Sequence, residues 1–236
     1  MFDHKLIINK QSRSKLIHSL KIHIDELIFE IYISIINEQI KNFQSVCIIT
    51  EDVNFSKKLS FKNLEFLTLE DLIKKENNSF DLIIIFSILN FRNKIDHDLN
   101  NIKLVLKKNG LLLCSFFSEN NLNDFKKIVQ LLEIELFGGV SQRFHPIVDI
   151  RDIGNVFSQL GYENTVIQRE KFSLHYDSFK EFLIHMRKMA FTNSLLFQKN
   201  HRLNKSFFLK LEKKFSEELN NNIIFEVLIS CSWKRS

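Results

Sequence analysis

Glycine, proline and alanine are nearly missing from this chain: its 236 residues hold five Gly and one Pro, and Ala190 is its single alanine. The residues that take their place, 24 Phe with abundant Ile, Lys and Asn, are those that A/T-rich codons encode. A biased genome therefore explains the shortage as readily as altered chemistry does, and a lost glycine does not by itself exclude a glycine-dependent motif. Cysteine is scarce as well. Cys47, Cys114 and Cys231 fall singly inside apolar runs, which reads as buried thiols in a reducing compartment, since no pair has zinc-ligand spacing. No run reaches the ~18 apolar residues a membrane-spanning helix needs, and the opening MFDHKLIINKQSRSKL lacks the apolar core of a secretory signal. Blocks of like charge are absent too. The 33 Lys and Arg are interleaved with 28 Asp and Glu, for a net charge of +5, so the basic excess reads as solvated surface rather than a nucleic-acid footprint. These absences leave a cytoplasmic chain of one main domain, long enough to bury a substantial core.

What is present centres on Ser79–Phe117. Phe80–Ser87 is apolar on both faces, which predicts a parallel strand in the middle of a sheet, with Asp81 at its mouth. Ile95, Leu99, Ile102, Val105 and Leu106 recur at helical spacing. The following Lys-Lys-Asn-Gly is expected to close that helix, with Gly110 as its left-handed cap. Leu111–Phe117 is a second strand. Strand, helix and strand make one crossover unit of a parallel sheet.

Before this unit, Leu16–Ile40 carries an apolar helical face, Phe43–Ile49 a strand and Leu64–Leu69 another. The chain from Thr50 to Phe80 is short for two βα units, because a crossover takes about a dozen residues. One strand on this side is expected to be missing or stunted. After it come helices at Asn123–Phe137 and Asp149–Leu160, a strand at Asn164–Gln168, and amphipathic helices at Asp177–Met189 and Leu195–Leu219. The apolar stripe of the last helix is either a partner surface or packing on its neighbour. GGVSQRFHP, Gly138–Pro146, concentrates the scarce glycine and proline in one loop of demanding backbone geometry. The eight histidines are dispersed and form no metal-ligand spacing.

FDL followed by aliphatics, then LKKNG and LLLCSFF, resembles the fourth and fifth strands of class I S-adenosylmethionine-dependent methyltransferases. Lys108 stands for the family's usual proline and Asn109 for its aspartate. The C-terminal half is similar to the branch that holds the malonyl-acyl-carrier methyltransferase of biotin synthesis and, closer, the complex I assembly factor that acts as an arginine hydroxylase. Gly138, Gly139, Ser141, Pro146, Asp152, Gly154, Gly161, Tyr176, Met189 and Asn193 stand in matching places. The resemblance covers Met1–Lys10 and Ser79–Ser236.

It implies an α/β, Rossmann-like class I methyltransferase fold: a mostly parallel central sheet with flanking helices, a shortened first half and a C-terminal helical insertion at about 175–220. Residues 1–42 would form an N-terminal helical segment and 43–236 the methyltransferase-like domain. S-adenosylmethionine is the implied cofactor. Its amino-acid end would meet the turn Thr50, Glu51, Asp52 and Asn54, where the family's three glycines fall on Thr50, Asp52 and Asn54. Glu70 or Asp71 would be the acid for the ribose hydroxyls, and an acid there, Asp71 ahead of LIKK above all, is equally a helix cap. Phe86, Asn90 and Phe91, past the central strand, would wall the cofactor, and core packing accounts for Phe86 equally well. Methyl transfer needs mainly alignment of an activated methyl group, so no acid–base pair is demanded. Arg143 and His145 are the acceptor-side candidates if the Gly138–Pro146 loop is an exposed lid. The other reading of that loop is a plain helix connection. Two functions follow: a methyltransferase-like protein, or a non-catalytic assembly factor retaining the fold and meeting a protein partner through its C-terminal helices.

Overall fold

A fully apolar strand has to be covered on both faces, and the computed structural model, which describes residues 2–14, 24–49, 61–86, 88–145, 147, 149–189, 191 and 203–235, shows how. The elements run α1 (His4–Ser14), α2 (Ile24–Asn37), β1 (Ser45–Ile49), β2 (Asn63–Leu67), α3 (Leu69–Leu72), β3 (Phe80–Ile85), a 3-10 turn (Ile88–Phe91), α4 (Ile95–Val105), β4 (Leu106–Phe117), α5 (Asn123–Phe137), α6 (Ile150–Gln159), β5 (Tyr162–His175), α7 (Phe179–Lys188), α8 (Lys205–Leu219) and β6 (Asn222–Lys234). The strands form one sheet of order β2-β1-β3-β4-β6-β5. β2, β1, β3 and β4 are parallel, and β6 joins β4 antiparallel. The α/β class and the mostly parallel sheet are as expected. Among the described residues β2 is the outermost strand on its side, in keeping with the short chain there.

The chain gathers into two compact units, the first taking in Met1–Lys21, Glu119–Pro146 and Lys171–Glu226, the second Ile22–Ser118, Ile147–Glu170 and Val227–Ser236. In the second unit every residue of β3 is buried, and Leu99, Ile102, Val105, Ile153 and Phe157 from α4 and α6 pack with Ile83, Leu112 and Cys114 in one apolar cluster. Asp81 is buried among these residues because it has work at the strand's entrance. Its carboxylate accepts the amides of Gln44 and Ser45 at 3.0–3.1 Å, pinning the start of β1 to β3. In the first unit the phenylalanines carry the core. Phe125, Phe179, Phe182 and Phe215 meet one another at centroid distances of 4.8–6.4 Å, and α8 lies against α5.

Three expectations change. Met1–Lys15, read as a polar basic stretch, contains α1. The predicted helix Leu16–Ile40 is described only as α2, and Leu195–Leu219 only as α8; residues 15–23 and 192–202 lie outside the described residues. Gly110 is not a helix cap. Leu106 already leaves helical geometry at φ −70, ψ 136 because its side chain is drawn into the core, and β4 starts there. The partner of Phe80 is Leu106 and that of Leu82 is Leu111, so Lys107–Gly110 bulge out of the ladder, with Asn109 taking the positive φ. Glycine is still required at 110: a Cβ there would stand 2.8 Å from Leu106 Cγ and the Lys107 carbonyl. Among the described residues no helix is long and apolar enough to cross a membrane.

Candidate functional site

In an open parallel sheet a ligand crevice forms where successive connections leave in opposite directions, outside the carboxyl ends of the strands. Here that switch point lies between β1 and β3, since β2 flanks β1 on one side and β3 on the other. Ile49 ends β1 and Ile85 ends β3, and the Phe86 amide still donates to the Ile49 carbonyl at 3.5 Å. Phe86, Asn90 and Phe91, expected to wall a cofactor, follow at this end of β3. All three are buried, with 4–8% exposure.

Phe86 belongs to the core rather than to an open wall. Phe29 and Tyr32 of α2 cover it, at centroid distances of 6.3 and 5.3 Å. The Tyr32 hydroxyl donates to the Ile85 carbonyl at 3.0 Å. Burial, followed by the neighbouring Cys114 thiol, raises the Tyr32 phenol well above its ordinary pKa, so it stays protonated and a donor. Asn90 ties the ends of two strands together, its Oδ1 accepting the Phe117 amide at 3.0 Å. Tyr32 escaped the sequence reading. The signal was present, because a tyrosine on the apolar face of a buried helix needs a partner for its hydroxyl.

Past β2 the acids are engaged. Thr68 caps α3, accepting the Asp71 amide at 3.1 Å and donating its hydroxyl to the Asp71 carboxylate at 2.8 Å. Asp71 is thus the third residue of a capping arrangement, not the cap itself. Hydrogen bonds from Lys74 and then Thr68 hold its carboxyl below the usual range. Glu70 meets Arg92 at 2.9 Å, and Arg92 also grips the buried Asp98 with two bonds of 2.7 and 3.1 Å. Asp98 first, then Glu70, raise the Arg92 pKa further. Arg92 and Glu70 are the polar groups of this rim that sequence reading passed over or left undecided. Thr50, Glu51, Asp52 and Asn54 lie outside the described residues.

Arg143 and His145 sit in the first unit, and neither is an exposed loop residue as expected. Glu133, inside α5, is fully buried. Its two oxygens take the Ser141 amide at 3.0 Å and Arg143 Nε at 2.5 Å. His145 is 5% exposed, its ring between Phe2 and Phe191 at 5.2 and 6.0 Å. A buried carboxylate demands a cation, so the loop folds inward to supply one. A surface cleft of about 310 Å³ in the same unit is lined by Leu122, Asp124, Phe125, Glu218, Leu219 and Ile223, among others, and includes no predicted site residue. Among the described residues no group of three His, Cys, Asp or Glu is arranged to hold a metal.

The described residues fit the cofactor that the resemblance implies at one end. They offer carboxylates just past β2, of which Glu70 is half exposed, and a dry apolar floor of Phe86, Leu89 and Phe91 beneath the switch point. Residues 50–60, where the resemblance puts the other end of such a ligand, lie outside the described residues.

No protein-family model matches this chain. Among curated proteins it is similar to the mitochondrial arginine-hydroxylase NDUFAF5 of Dictyostelium discoideum, with 31% identity over 172 residues, covering 70% of this chain and 39% of that one. A Rickettsia prowazekii protein provisionally named a methyltransferase is 23% identical over 197 residues, covering 82% and 86% of the two chains. The chain thus spans well under half the length of the Dictyostelium relative but most of the Rickettsia one. Among solved structures, a Bacillus halodurans protein, also provisionally named a methyltransferase, superposes with a TM-score of 0.52 at 12% identity over 87% of this chain and 98% of that one. By its sheet order and these likenesses, the chain has the Rossmann-like fold of class I S-adenosylmethionine-dependent methyltransferases and is a methyltransferase-like protein.

Proposed function

We propose that this methyltransferase-like chain binds S-adenosylmethionine at the carboxyl ends of β1 and β3. The observation that carries the reading is the switch point itself: a parallel β2-β1-β3-β4 order over a floor of buried apolar residues, with the half-exposed Glu70 at its rim. When bound, the cofactor supplies an already activated methyl group. This chain's own part is then to hold and orient it and to exclude water. Glu70 or Asp71 accepts from the ribose hydroxyls, and the Thr50–Asn54 turn meets the amino-acid end. Aspartate and asparagine tolerate positive φ better than other residues, so Asp52 and Asn54 are compatible with a turn that other chains build from glycine. Isothermal titration of the purified chain with S-adenosylmethionine and with its demethylated product tests this. Binding at or below about 1 mM, or about −4 kcal/mol, is expected, and Glu70→Gln should weaken it. Absence of heat at that concentration for both ligands would sink the reading.

A second reading is supported by the closure of the site. Phe86, Asn90 and Phe91 are packed away, the glycines of the cofactor turn are gone, and one relative is named an arginine-hydroxylase rather than a methyltransferase. On that reading the chain is a cytoplasmic assembly factor that has kept the fold. Its partner would dock on the C-terminal helices, where α8 leaves Phe208 and Leu209 exposed. A strain lacking the chain should then lose respiratory-complex assembly, and a chain with Phe208→Ser and Leu209→Ser should fail to restore it. Normal assembly in the deletion strain overturns this second reading.

A further inference from the structure

At the amino-terminal end of the second unit's strands the chain collects cations. Lys107 and Lys108 lie in the β4 bulge, Lys41 precedes β1, Lys103 ends α4, and Lys234 and Arg235 end β6. Two of the six are matched by carboxylates: Lys107 approaches Asp81 at 3.9 Å and Arg235 meets Glu163 at 3.0 Å. Three of the others are held by neutral oxygens. Lys41 Nζ donates to the Asn109 carbonyl at 2.6 Å. Lys103 donates to the carbonyls of Leu160 and Gly161 at 2.5 and 2.9 Å. Lys234 donates to Asn78 Oδ1 and to the carbonyls of Leu104 and Leu106 at 2.6–3.3 Å. Lys108 is exposed on the bulge. The nearest acids along the chain are Glu38 for Lys41, Asp98 for Lys103 and Lys108, and Glu226 for Lys234; among the described residues Asp98 pairs with Arg92 and Glu226 with Lys171 instead.

Cations near the last turns of α4 and α6 are partly explained by the helix ends themselves, each equivalent to roughly −0.5 of a charge. Two helix ends thus offset about one of four lysines. The remainder is uncompensated. Lys103 and Lys108 also act on one another's neighbour: burial first, and then these two cations, lower the Lys234 pKa. Interleaved basic and acidic residues hide this grouping in the sequence, because it is assembled from four separate places along the chain.

We propose that this electropositive end, Lys41, Lys103, Lys108 and Lys234, docks an acidic protein segment rich in carboxylates. A nucleic acid fits less well. Non-specific single-strand sites add exposed aromatic platforms for base stacking, whereas the one tryptophan here, Trp233, is stacked on the buried Phe43 at 6.4 Å. The cluster is also compact, not a stripe along one helix. Carboxylates suit ammonium groups already oriented by backbone carbonyls: a lysine donates up to three hydrogen bonds, so Lys41, with one used inward, and Lys103, with two, keep donors for a ligand, while Lys234, with all three used inward, contributes its charge alone.

Fluorescence anisotropy with a labelled oligoglutamate peptide, read against an oligothymidylate strand, tests the proposal on the full chain. Binding of the peptide at low salt is expected, weakening as salt screens the charges. The double variant Lys41→Glu with Lys108→Glu should weaken it at least about tenfold, equivalent to about 1.4 kcal/mol. Lys213→Glu, on α8, should leave it unchanged. Lys108 bears no internal bond in the structure, so Lys108→Glu alone, with an unaltered melting temperature, separates lost docking from lost folding. Failure of the wild-type chain to bind the peptide, equal binding by the double variant, or tighter binding of the oligothymidylate strand would each overturn the proposal.

Discussion

Arg143 shows how burial redefines a residue. On the sequence it is a polar group in a loop with a glycine pair, free to face a substrate. In the fold its guanidinium compensates Glu133, which has no exposure. Removing one partner of such a pair leaves a buried charge, at about 3 kcal/mol or more. Arg143→Ala should therefore lower the urea midpoint of unfolding substantially, and Glu133→Gln with Arg143→Met should recover much of the loss. If Arg143→Ala unfolds at the wild-type midpoint, the pair contributes nothing and the residue is free for another role. Asp81 carries a similar lesson. The aspartate of the FDL motif is not chemical equipment; it accepts the amides of Gln44 and Ser45 at the entrance of the sheet. Asp81→Ala should cost about 1.5–3 kcal/mol, the range for hydrogen bonds to a charged group.

Single elements are punctuated by few residues, and the scarce glycines show which punctuation is indispensable. Gly138 ends α5 with φ +71, its amide donating to the Ile134 carbonyl at 3.0 Å. Gly139, its neighbour, has no such φ, and a Cβ at either position meets nothing within 4 Å. The two glycines look alike in sequence, but only the first needs to be one. Gly138→Ala should cost about 1 kcal/mol through backbone strain alone, and Gly139→Ala should be neutral or slightly stabilising. Equal thermal shifts for the two would contradict this. Elsewhere asparagine takes over the role of glycine. Asn78, Asn109, Asn164, Asn220 and Asn221 all adopt positive φ, which is how a chain this poor in glycine still turns.

For the whole molecule, the buried thiols and phenols set the alkaline limit. Burial raises the Cys47 and Cys114 thiols to about 12 and Cys231 to about 11, and raises Tyr32 and Tyr162 well above their ordinary values. In the unfolded chain these thiols ionise near 9.0. A folded pKa above the unfolded one means stability that is complete below the unfolded value and is lost as pH climbs toward the folded one. The urea midpoint should therefore fall between about pH 9 and 12. Lys10, lowered by burial to about 8, and Lys126 and Lys234, lowered first by burial, act in the opposite direction below their ordinary value, against three thiols and two phenols. A midpoint that rises or stays level through pH 10–11 would contradict this balance. Alkylation at pH 8 should likewise spare Cys47 and Cys114 in the native chain.

Periodicity alone determined the α/β class, the limits of β3, α4 and α5 to within a residue or two, and the shortened first half. Each depends on local spacing or chain length, and those physics act within a few residues. The exit of α5 at Gly138 was legible for the same reason. Gly110 was misread because a core pull on Leu106, not a cap, ends α4. The site was legible only in part. Phe86, Asn90 and Phe91 do meet at one strand end, but which atoms remain open there depends on Tyr32 and Phe29 arriving from α2. Arg92 joining Glu70 and Asp98, Arg143 turning inward to Glu133, and four lysines converging at the far ends of the strands likewise pair segments remote in sequence. Charge and burial act through space, so only the tertiary structure decided them.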